Sequence, residues 1–266
     1  MSDLGILGKI AERTQSRIAR EKVSRPVEWL RARPLYDHPP MSLIKALSAP
    51  GPGVIAEVKF TSPSEGVLRP NPSPIEASRI AAAYASAGAA AISILTEPEF
   101  FAGDTSFLAD ARDACPTIPL LMKDFMVDSY QLELARSIGA DAVLLIGALL
   151  GPRLPEMHAV AKSLGLSVLI EVHNDAEAEA AIAADGALIG VNNRDLKTLK
   201  VDLAVARRLA PLVCRPGIVA VAESGLRSRK DLDSLTPLGY KGFLIGSSLM
   251  KRPDPGAALK SFLHEN

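Results

Sequence analysis

The sequence predicts an α/β protein, a (β/α)8 TIM barrel with a short helical N-terminal extension. From residue 53 onward, short apolar runs rich in β-branched residues alternate with longer segments of helical period. Eight such runs occur, each followed by one helical segment, as in a closed parallel barrel. The length of 266 residues is normal for one barrel of this kind. An open doubly wound sheet is the competing fold, but the GxGxxG turn that often follows its first strand does not occur here.

The predicted strands are short and nearly continuous in apolar residues, as expected for a parallel sheet that is buried on both faces. In chain order they are "VIAEV", "AAISIL", "IPLLM", "DAVLLI", "SVLIEV", "ALIGV", "GIVAVAE" and "GFLIG".

The predicted helices are rich in Ala, Leu and charged residues. Many begin at Asp or Ser, which can cap a helix N-terminus, and several end at Gly. In chain order they are "SPIEASRIAAAYASAG", "DTSFLADARDAC", "DSYQLELARSIG", "RLPEMHAVAKSLG", "DAEAEAAIAADG", "DLAVARRLAPL", "SRKDLDSLTPLG" and "DPGAALKSFL".

Residues 1–48 precede this alternation and differ from it in pattern. Their first segment has buried-type positions at helical spacing, namely Leu7, Ile10, Thr14 and Ile18. Several prolines then interrupt the chain. We expect two or three short helices packed on a catalytic barrel of residues 49–266, with Trp29 as the anchor.

Composition excludes several classes of function. Apolar residues make up 48% and charged residues 23%, as in globular proteins with a large core. Thirty basic and thirty acidic residues cancel, which argues against nucleic-acid binding by phosphate neutralisation. The two cysteines, Cys115 and Cys214, form no CxxC motif or cluster with histidine, which indicates a reduced compartment. No apolar run reaches membrane length and no signal peptide is present, so we expect a soluble cytoplasmic protein.

Polar residues end five predicted strands, where the active site of a TIM barrel lies. A residue two positions after an inward-facing apolar residue also faces inward. By this rule the inward polar residues are Glu57, Lys59, Lys123, Glu171, Asn192 and Glu223. One such residue is most simply a charged strand end that faces water. Lysines and carboxylates that converge on one mouth can shift one another's pKa values and exchange protons, so together they predict a ligand site.

Two loops at the end of the chain indicate that this ligand carries a phosphate. After strands 7 and 8, "ESGLRS" and "IGSSLM" each place Gly beside Ser as a helix begins. Small residues let backbone N–H groups approach an anion, and these two loops form a phosphate site in many TIM barrels. Ordinary tight turns are the alternative for each loop alone. The pair predicts phosphate binding at Ser224, Gly225, Gly246 and Ser247.

Several longer segments resemble indole-3-glycerol phosphate synthase. They are "IAEVKFTSPSEG", "ILTEPEFFAGD", "LMKDFMVDSYQLELARSIGADAVLLI", "LIEVHNDAEAEAAI", "IGVNNRDLKTLKVDL", "VAESGLRS" and "LIGSSLMKRPDPGAAL". The match runs in order from about residue 53 to the C-terminus, and the helical extension also resembles that of this family, where it partly covers the site.

The resemblance implies ring closure of 1-(2-carboxyphenylamino)-1-deoxyribulose 5-phosphate, a step of tryptophan biosynthesis with lysine and glutamate as general acids and bases. It implies neither a metal nor an organic cofactor, and neither a nucleic-acid partner nor a membrane partner. A monomer is expected, and contact with other tryptophan-pathway enzymes is left open. The catalytic residues implied are Glu57, Lys59, Lys123, Glu171 and Asn192. The substrate-binding residues implied are Ser62, Arg194, Glu223, Ser224, Gly225, Gly246 and Ser247.

Two positions depart from the family pattern. Phe60 and Met122 stand where basic residues are usual, which predicts weaker binding of an anionic substrate. A lysine that donates a proton near neutral pH should have a pKa lowered by burial or by a second cation. His173 shares the inward side with Glu171, but a local hydrogen bond in a loop is its simpler interpretation. His38, His158 and His264 are expected at the surface.

Three other functions fit parts of the pattern. A Schiff-base aldolase could use a lysine at a strand end. A related barrel could isomerise phosphoribosyl amines, although a different acid–base pair would be expected there. A phosphate-ligand sensor could retain the barrel without the chemistry.

Overall fold

The computed structural model of the chain describes residues 5–264 and has eight parallel strands in a closed barrel. Each strand pairs with the next, and the last pairs with the first. The strands are β1 (Gly53–Val58), β2 (Ala91–Leu95), β3 (Leu120–Lys123), β4 (Ala142–Ile146), β5 (Ser167–Val172), β6 (Leu188–Asn192), β7 (Val219–Glu223) and β8 (Gly242–Ile245). The predicted (β/α)8 fold is confirmed.

Helices surround the barrel and also precede it. The first three are α1 (Gly5–Ser24), α2 (Val27–Arg31) and α3 (Leu43–Leu47). The others are α4 (Pro74–Ser86), α5 (Pro98–Phe101), α6 (Thr105–Ala114), α7 (Tyr130–Ser137), α8 (Gly147–Leu150), α9 (Leu154–Ser163), α10 (Asp175–Ala183), α11 (Ala204–Val213), α12 (Arg229–Leu235), α13 (Ser247–Met250) and α14 (Pro255–His264). No helix in the described part of the chain combines the length and the apolar character that a membrane span requires.

Strand alternation divides the core into two layers. Inward residues such as Ile55, Leu121 and Leu169 pack together inside the barrel. The residues between them in sequence, such as Val54 and Ile170, pack outward against the helices. Because side chains of a strand alternate between faces, the inner layer sets the parity of every polar residue that follows it at the barrel mouth.

The N-terminal helices reach both ends of the barrel. Leu43 and Leu47 of α3 are fully buried with the inner layer. Leu47 lies against Gly53 and Gly242, the first residues of β1 and β8, so α3 closes the amino-terminal end. In contrast, Leu7 of α1 packs with the same inner layer and lines the cavity at the opposite end.

Polar contacts join α1 and α2 to the barrel. Arg17 donates to both carboxylate oxygens of Asp124, which directly follows β3. Arg31 and Tyr36 donate to the buried carboxylate of Glu133 on α7. Since these partners lie about 100 residues away in sequence, no local pattern could reveal them.

Two predictions about single residues are wrong. Trp29 is 43% exposed and lies under the guanidinium of Arg33, whereas its neighbour Leu30 is the buried residue of α2. His158 is only 6% exposed because it lies on the buried face of α9 with Leu154 and Ala161, at helical spacing.

Candidate active site

The carboxyl ends of the strands surround one cavity. Every residue that the sequence predicted for the site lines it: Glu57, Lys59, Ser62, Lys123, Glu171, Asn192, Arg194, Glu223, Ser224, Gly225, Gly246 and Ser247. The chain brings these residues together because all eight strands run in one direction and therefore end at the same rim.

Glu57 and Lys59 form the first ion pair of the cavity. Lys59 Nζ lies 2.8 Å from Glu57 Oε1, and Glu57 is nearly buried. Both follow Ile55 of the inner layer at two-residue steps, so both side chains face the mouth. A buried carboxylate beside this lysine fixes the position of the ammonium group.

Lys123 lies between two further carboxylates. Its Nζ is 3.2 Å from Glu171 Oε2 and 3.6 Å from Glu223 Oε2. Burial alone would lower the pKa of Lys123, but Glu171, Glu223 and Glu57 outweigh it and hold this pKa above its ordinary value. The expectation of a lowered lysine pKa is therefore wrong for Lys123, because the three glutamates around it outweigh the effect of burial.

The two carboxylates beside Lys123 differ in their protonation. Burial would raise the pKa of Glu171, but Lys123, His173 and Asn192 stabilise its anion and hold the pKa well below its usual range. Burial raises the pKa of Glu223 to about 8, and the neighbouring Glu171 and Glu57 add to this effect against Lys123. Near neutral pH the cavity thus contains a carboxylate beside a carboxylic acid.

Two glycines leave room for these carboxylates. A Cβ atom at Gly190 of β6 would lie 2.0 Å from Glu223 Oε1, and one at Gly246 would lie 2.2 Å from Glu57 Oε1. Both distances are far below van der Waals contact. A larger residue at either position would therefore displace the end of the glutamate side chain beside it.

His173 is a member of the site that the sequence left unassigned. It directly follows β5, and its Nε2 lies 3.3 Å from Glu171 Oε1 while its Nδ1 contacts Glu177 Oε2 at 3.0 Å. The expected local hydrogen bond is present, and contact with Glu171 accompanies it. Its two-residue spacing from Glu171 was the signal available in the sequence.

The loops after β6, β7 and β8 are linked by polar side chains. Asn193 Nδ2 donates to the carbonyl of Glu223 at 2.9 Å, which joins the first two loops. Ser248 Oγ donates to the carbonyl of Leu226 at 2.6 Å, which joins the last two. Ser224 and Gly225 both have positive φ, at 64° and 82°, so the chain turns sharply at the cavity wall.

An apolar wall completes the cavity, and the sequence analysis did not predict it. Ile6, Leu7 and Ile10 contribute from α1, while Phe101 and Phe125 form an aromatic pair with ring centroids 5.7 Å apart. The two adjacent phenylalanines of "EFFAGD" were visible in the sequence. Their orientation could not be predicted, because side chains outside regular strands follow no simple alternation.

Phe60 and Met122 do not line this cavity. Both are buried in the outer layer between the strands and the helices, and the Phe60 ring packs edge-on against Phe107 at 5.6 Å. Each is adjacent in sequence to an inward lysine and therefore faces outward. The suggestion that they weaken substrate binding by removing charge from the site is not supported.

The model of the indole-3-glycerol phosphate synthase family matches residues 7–262 of the chain. The chain belongs to the indole-3-glycerol phosphate synthase family. It has the activity of that family, a carboxy-lyase reaction of tryptophan biosynthesis on a phosphorylated small molecule. The resemblance found in the sequence is thereby confirmed.

Relatives with this activity match the chain over most or all of its length. The indole-3-glycerol phosphate synthase of Rhodospirillum rubrum is 44% identical over 269 residues, 99% of this chain and 100% of that protein. That of Carboxydothermus hydrogenoformans is 46% identical over 229 residues, 84% of this chain and 85% of that protein.

Solved structures of lower identity show the same fold. The 3-hexulose-6-phosphate synthase of Salmonella typhimurium aligns with a TM-score of 0.64 at 14% identity, covering 79% of this chain and 96% of that chain. The thiamine phosphate pyrophosphorylase of Pyrococcus furiosus aligns with a TM-score of 0.60 at 17% identity, covering 83% and 96%.

Proposed function

We propose that Lys59, Lys123, Glu57 and Glu171 catalyse the ring closure of 1-(2-carboxyphenylamino)-1-deoxyribulose 5-phosphate. The products are indole-3-glycerol phosphate, CO2 and water. In this proposal the ring carbon that bears the carboxylate attacks the ketone, CO2 leaves as aromaticity returns, and loss of the new hydroxyl as water completes the indole.

Lys59 binds the anthranilate carboxylate and holds the ring over the ketone. The 2.8 Å contact with Glu57 supports this role, because a fixed ammonium group can orient a flexible substrate. Holding the reacting atoms in attack geometry can lower the barrier by about 7–11 kcal/mol. Glu57 accordingly positions Lys59.

Lys123 is the general acid on the ketone oxygen. Its raised pKa supports the role in one respect, since the group meets the substrate as an ammonium ion and can stabilise the developing oxyanion. A Schiff-base mechanism requires a neutral amine. The same raised pKa therefore argues against the aldolase alternative.

Glu171 is the general base of the dehydration. Its lowered pKa supports this assignment because the carboxylate is ionised and ready to accept a proton. Asn192 at the end of β6 orients this carboxylate. We assign Glu223, Arg194 and Ser62 to substrate contacts around the reacting ring.

The phosphate binds at Ser224, Gly225, Gly246 and Ser247, and the aromatic ring lies against the apolar wall. The linked loops after β7 and β8 support the first assignment, since N–H groups in a helix's first turn lack intrahelical partners. Phe101 and Phe125 support the second.

The contacts of Lys123 carry the mechanistic proposal, because one ammonium group meets two buried carboxyl groups inside a cavity. Its test is an indole-fluorescence assay with the anilino-ribulose phosphate. We expect Lys123→Ala to lower kcat by about 10²–10⁴-fold with a modest change in KM. The matched control is Lys162→Ala, which removes an exposed lysine paired with Asp185. Unchanged turnover of Lys123→Ala at saturating substrate would show that the acid is another group.

We further propose that the functional unit is a monomer in the cytoplasm, and that residues 1–48 form an extension to a catalytic barrel of residues 49–266. The two free cysteines support the cytoplasmic location. Cys115 is buried and Cys214 is partly buried, and neither is in a disulfide. Contact with other enzymes of the pathway stays a prediction, which size-exclusion chromatography of mixed enzymes can test.

A further inference from the structure

We propose that His173 is a positioning residue that links Glu171 to Glu177 and keeps the Glu171 carboxylate aimed into the cavity. The proposal rests on the role of Glu171 as general base, which is itself proposed above. It adds to the site one imidazole and one glutamate that do not line the cavity.

Glu177 holds one side of the imidazole ring. Its Oε2 contacts His173 Nδ1 at 3.0 Å and accepts the backbone N–H of His173 at 2.9 Å. Its Oε1 accepts from Asn174 Nδ2 at 2.6 Å. Because Asn174 also caps α10 by accepting from the backbone N–H of Glu177, the carboxylate is fixed to the first turn of a helix.

The other side of the ring faces the proposed base. His173 Nε2 lies 3.3 Å from Glu171 Oε1, while Lys123 Nζ lies 3.2 Å from Glu171 Oε2. The two oxygens of one carboxylate are therefore held by different cationic groups on opposite sides. His173 Nε2 is buried and has no hydrogen-bond partner of regular geometry among the described residues, so it meets Glu171 as a charge contact.

The charges around the ring favour the imidazolium form. Glu171 on β5 and Glu177 on α10 supply the negative charge, Glu223 on β7 is a nearby acid that is neutral at this pH, and Lys123 on β3 is the cation at the other oxygen of Glu171. Burial would lower the pKa of His173, but the contacts with Glu171 and Glu177 outweigh it and raise the pKa to about 10. An imidazolium near neutral pH stabilises an ionised Glu171, which is the form that can accept a proton.

The location of His173 indicates that it positions Glu171 and does not contact the substrate itself. Its side chain is 11% exposed and does not line the cavity, whereas Glu171 does. His173 therefore acts on the substrate only through the carboxylate that it holds. Loss of this cationic contact with Glu171 predicts about a ten-fold decrease in kcat with little change in KM.

The decisive experiment uses Glu177→Gln, which keeps the size of the side chain and removes its charge. We would titrate the His173 imidazole by NMR between pH 6 and 9 and measure kcat over the same range. In the parent protein the ring stays protonated and makes no contribution to the pH profile. In Glu177→Gln its pKa falls by about 1–3 units. We expect kcat to fall with the same midpoint as the ring loses its proton.

His173→Gln and His264→Gln complete the design. His173→Gln should lower kcat about ten-fold with KM within two-fold, and the loss should not depend on pH. His264, exposed at the end of α14, is the matched control and should leave kcat and its pH profile unchanged. Circular dichroism and Tm would verify that each variant is folded.

The failures of the two proposals can be distinguished. Full kcat in Glu171→Gln would reject Glu171 as the base, and the role of His173 would be rejected with it. A large loss in Glu171→Gln together with full kcat in His173→Gln at every pH would reject His173 alone. Titration of the ring in Glu177→Gln without any change in kcat would also reject it.

Discussion

At the scale of single residues, the site is a set of acids and bases whose protonation depends on their neighbours. Glu57 and Lys59 neutralise one another at 2.8 Å, and Lys123 neutralises Glu171 at 3.2 Å. Glu223 is left with one buried oxygen that has no hydrogen-bond partner among the described residues. An acid of this kind destabilises the fold when it ionises, so the carboxyl group of Glu223 does not serve stability.

Glu223→Gln should therefore stabilise the protein at high pH. The ordinary pKa of 4.5 applies to the unfolded chain, whereas the folded pKa is about 8. Between these values the folded state binds the extra proton, so the free energy of unfolding falls as pH rises. Removing the acid abolishes this loss. We expect Tm to rise by about 2–4 °C at pH 8, the effect of about 1 kcal/mol in a protein of this size, with little gain at pH 5.

Thermal unfolding followed by circular dichroism at both pH values would test this expectation. Glu179→Gln is the control, because Glu179 is an exposed glutamate on α10. An equal Tm change for Glu223→Gln at pH 5 and pH 8 would contradict a raised pKa of Glu223.

At the scale of elements, the ends of β6 and β7 are joined by one buried amide. Asn193 is 1% exposed, donates to the carbonyl of Glu223 at 2.9 Å, and accepts the backbone N–H of Ala206 on α11 at 3.0 Å. Strand, loop and helix are thereby held in one arrangement beside Ser224. The loop after β7, the proposed phosphate site, thus depends on a residue of the preceding unit.

Asn193→Ala should lower stability and weaken substrate binding together. It removes the side-chain acceptor of the buried Ala206 N–H, at a cost of about 1–3 kcal/mol, while the carbonyl of Glu223 keeps its bond from the backbone N–H of residue 193. The relaxed loop should raise KM more than it lowers kcat. Ser73→Ala is the control, since it removes the cap of α4, at a cost of about 1 kcal/mol, away from the cavity. An equal KM in both variants would show that Asn193 has only a structural role.

At the scale of the whole molecule, the N-terminal segment serves the two ends of the barrel differently. α3 closes the amino-terminal end with Leu43 and Leu47, whereas α1 lines the cavity with Ile6 and Leu7. The idea that this segment acts chiefly as a cover over the site describes α1 but leaves out α3. Deletion of the whole segment would remove both functions at once.

Two point substitutions should separate these functions. Leu47→Ala opens a cavity in the inner layer and should lower the free energy of unfolding by about 2–5 kcal/mol with kcat and KM unchanged. Ile6→Ala should raise KM several-fold with a small effect on Tm, because Ile6 is partly exposed at the cavity. Urea unfolding and the fluorescence assay measure the two effects. If Ile6→Ala lowers stability without changing KM, α1 has a structural role and does not contribute to substrate binding.

The two-residue period of strands made much of the site predictable from the sequence. Ile55, Leu121 and Leu169 revealed which polar residues face inward, and parallel strands end at one rim. The same rule applied to Phe60 and Met122 would have placed them outward. For these positions the information was present in the sequence.

Tertiary structure alone decided which groups pair across the barrel. Lys123 meets Glu171 through the closure of the sheet, and Glu133 meets Arg31 from a segment about 100 residues away. The exposure of Trp29 likewise depends on how α2 lies on α7. Local pattern sets the direction of a side chain, because backbone geometry repeats along an element. Its partner, and hence its pKa, depends on distances between elements that are far apart in the chain.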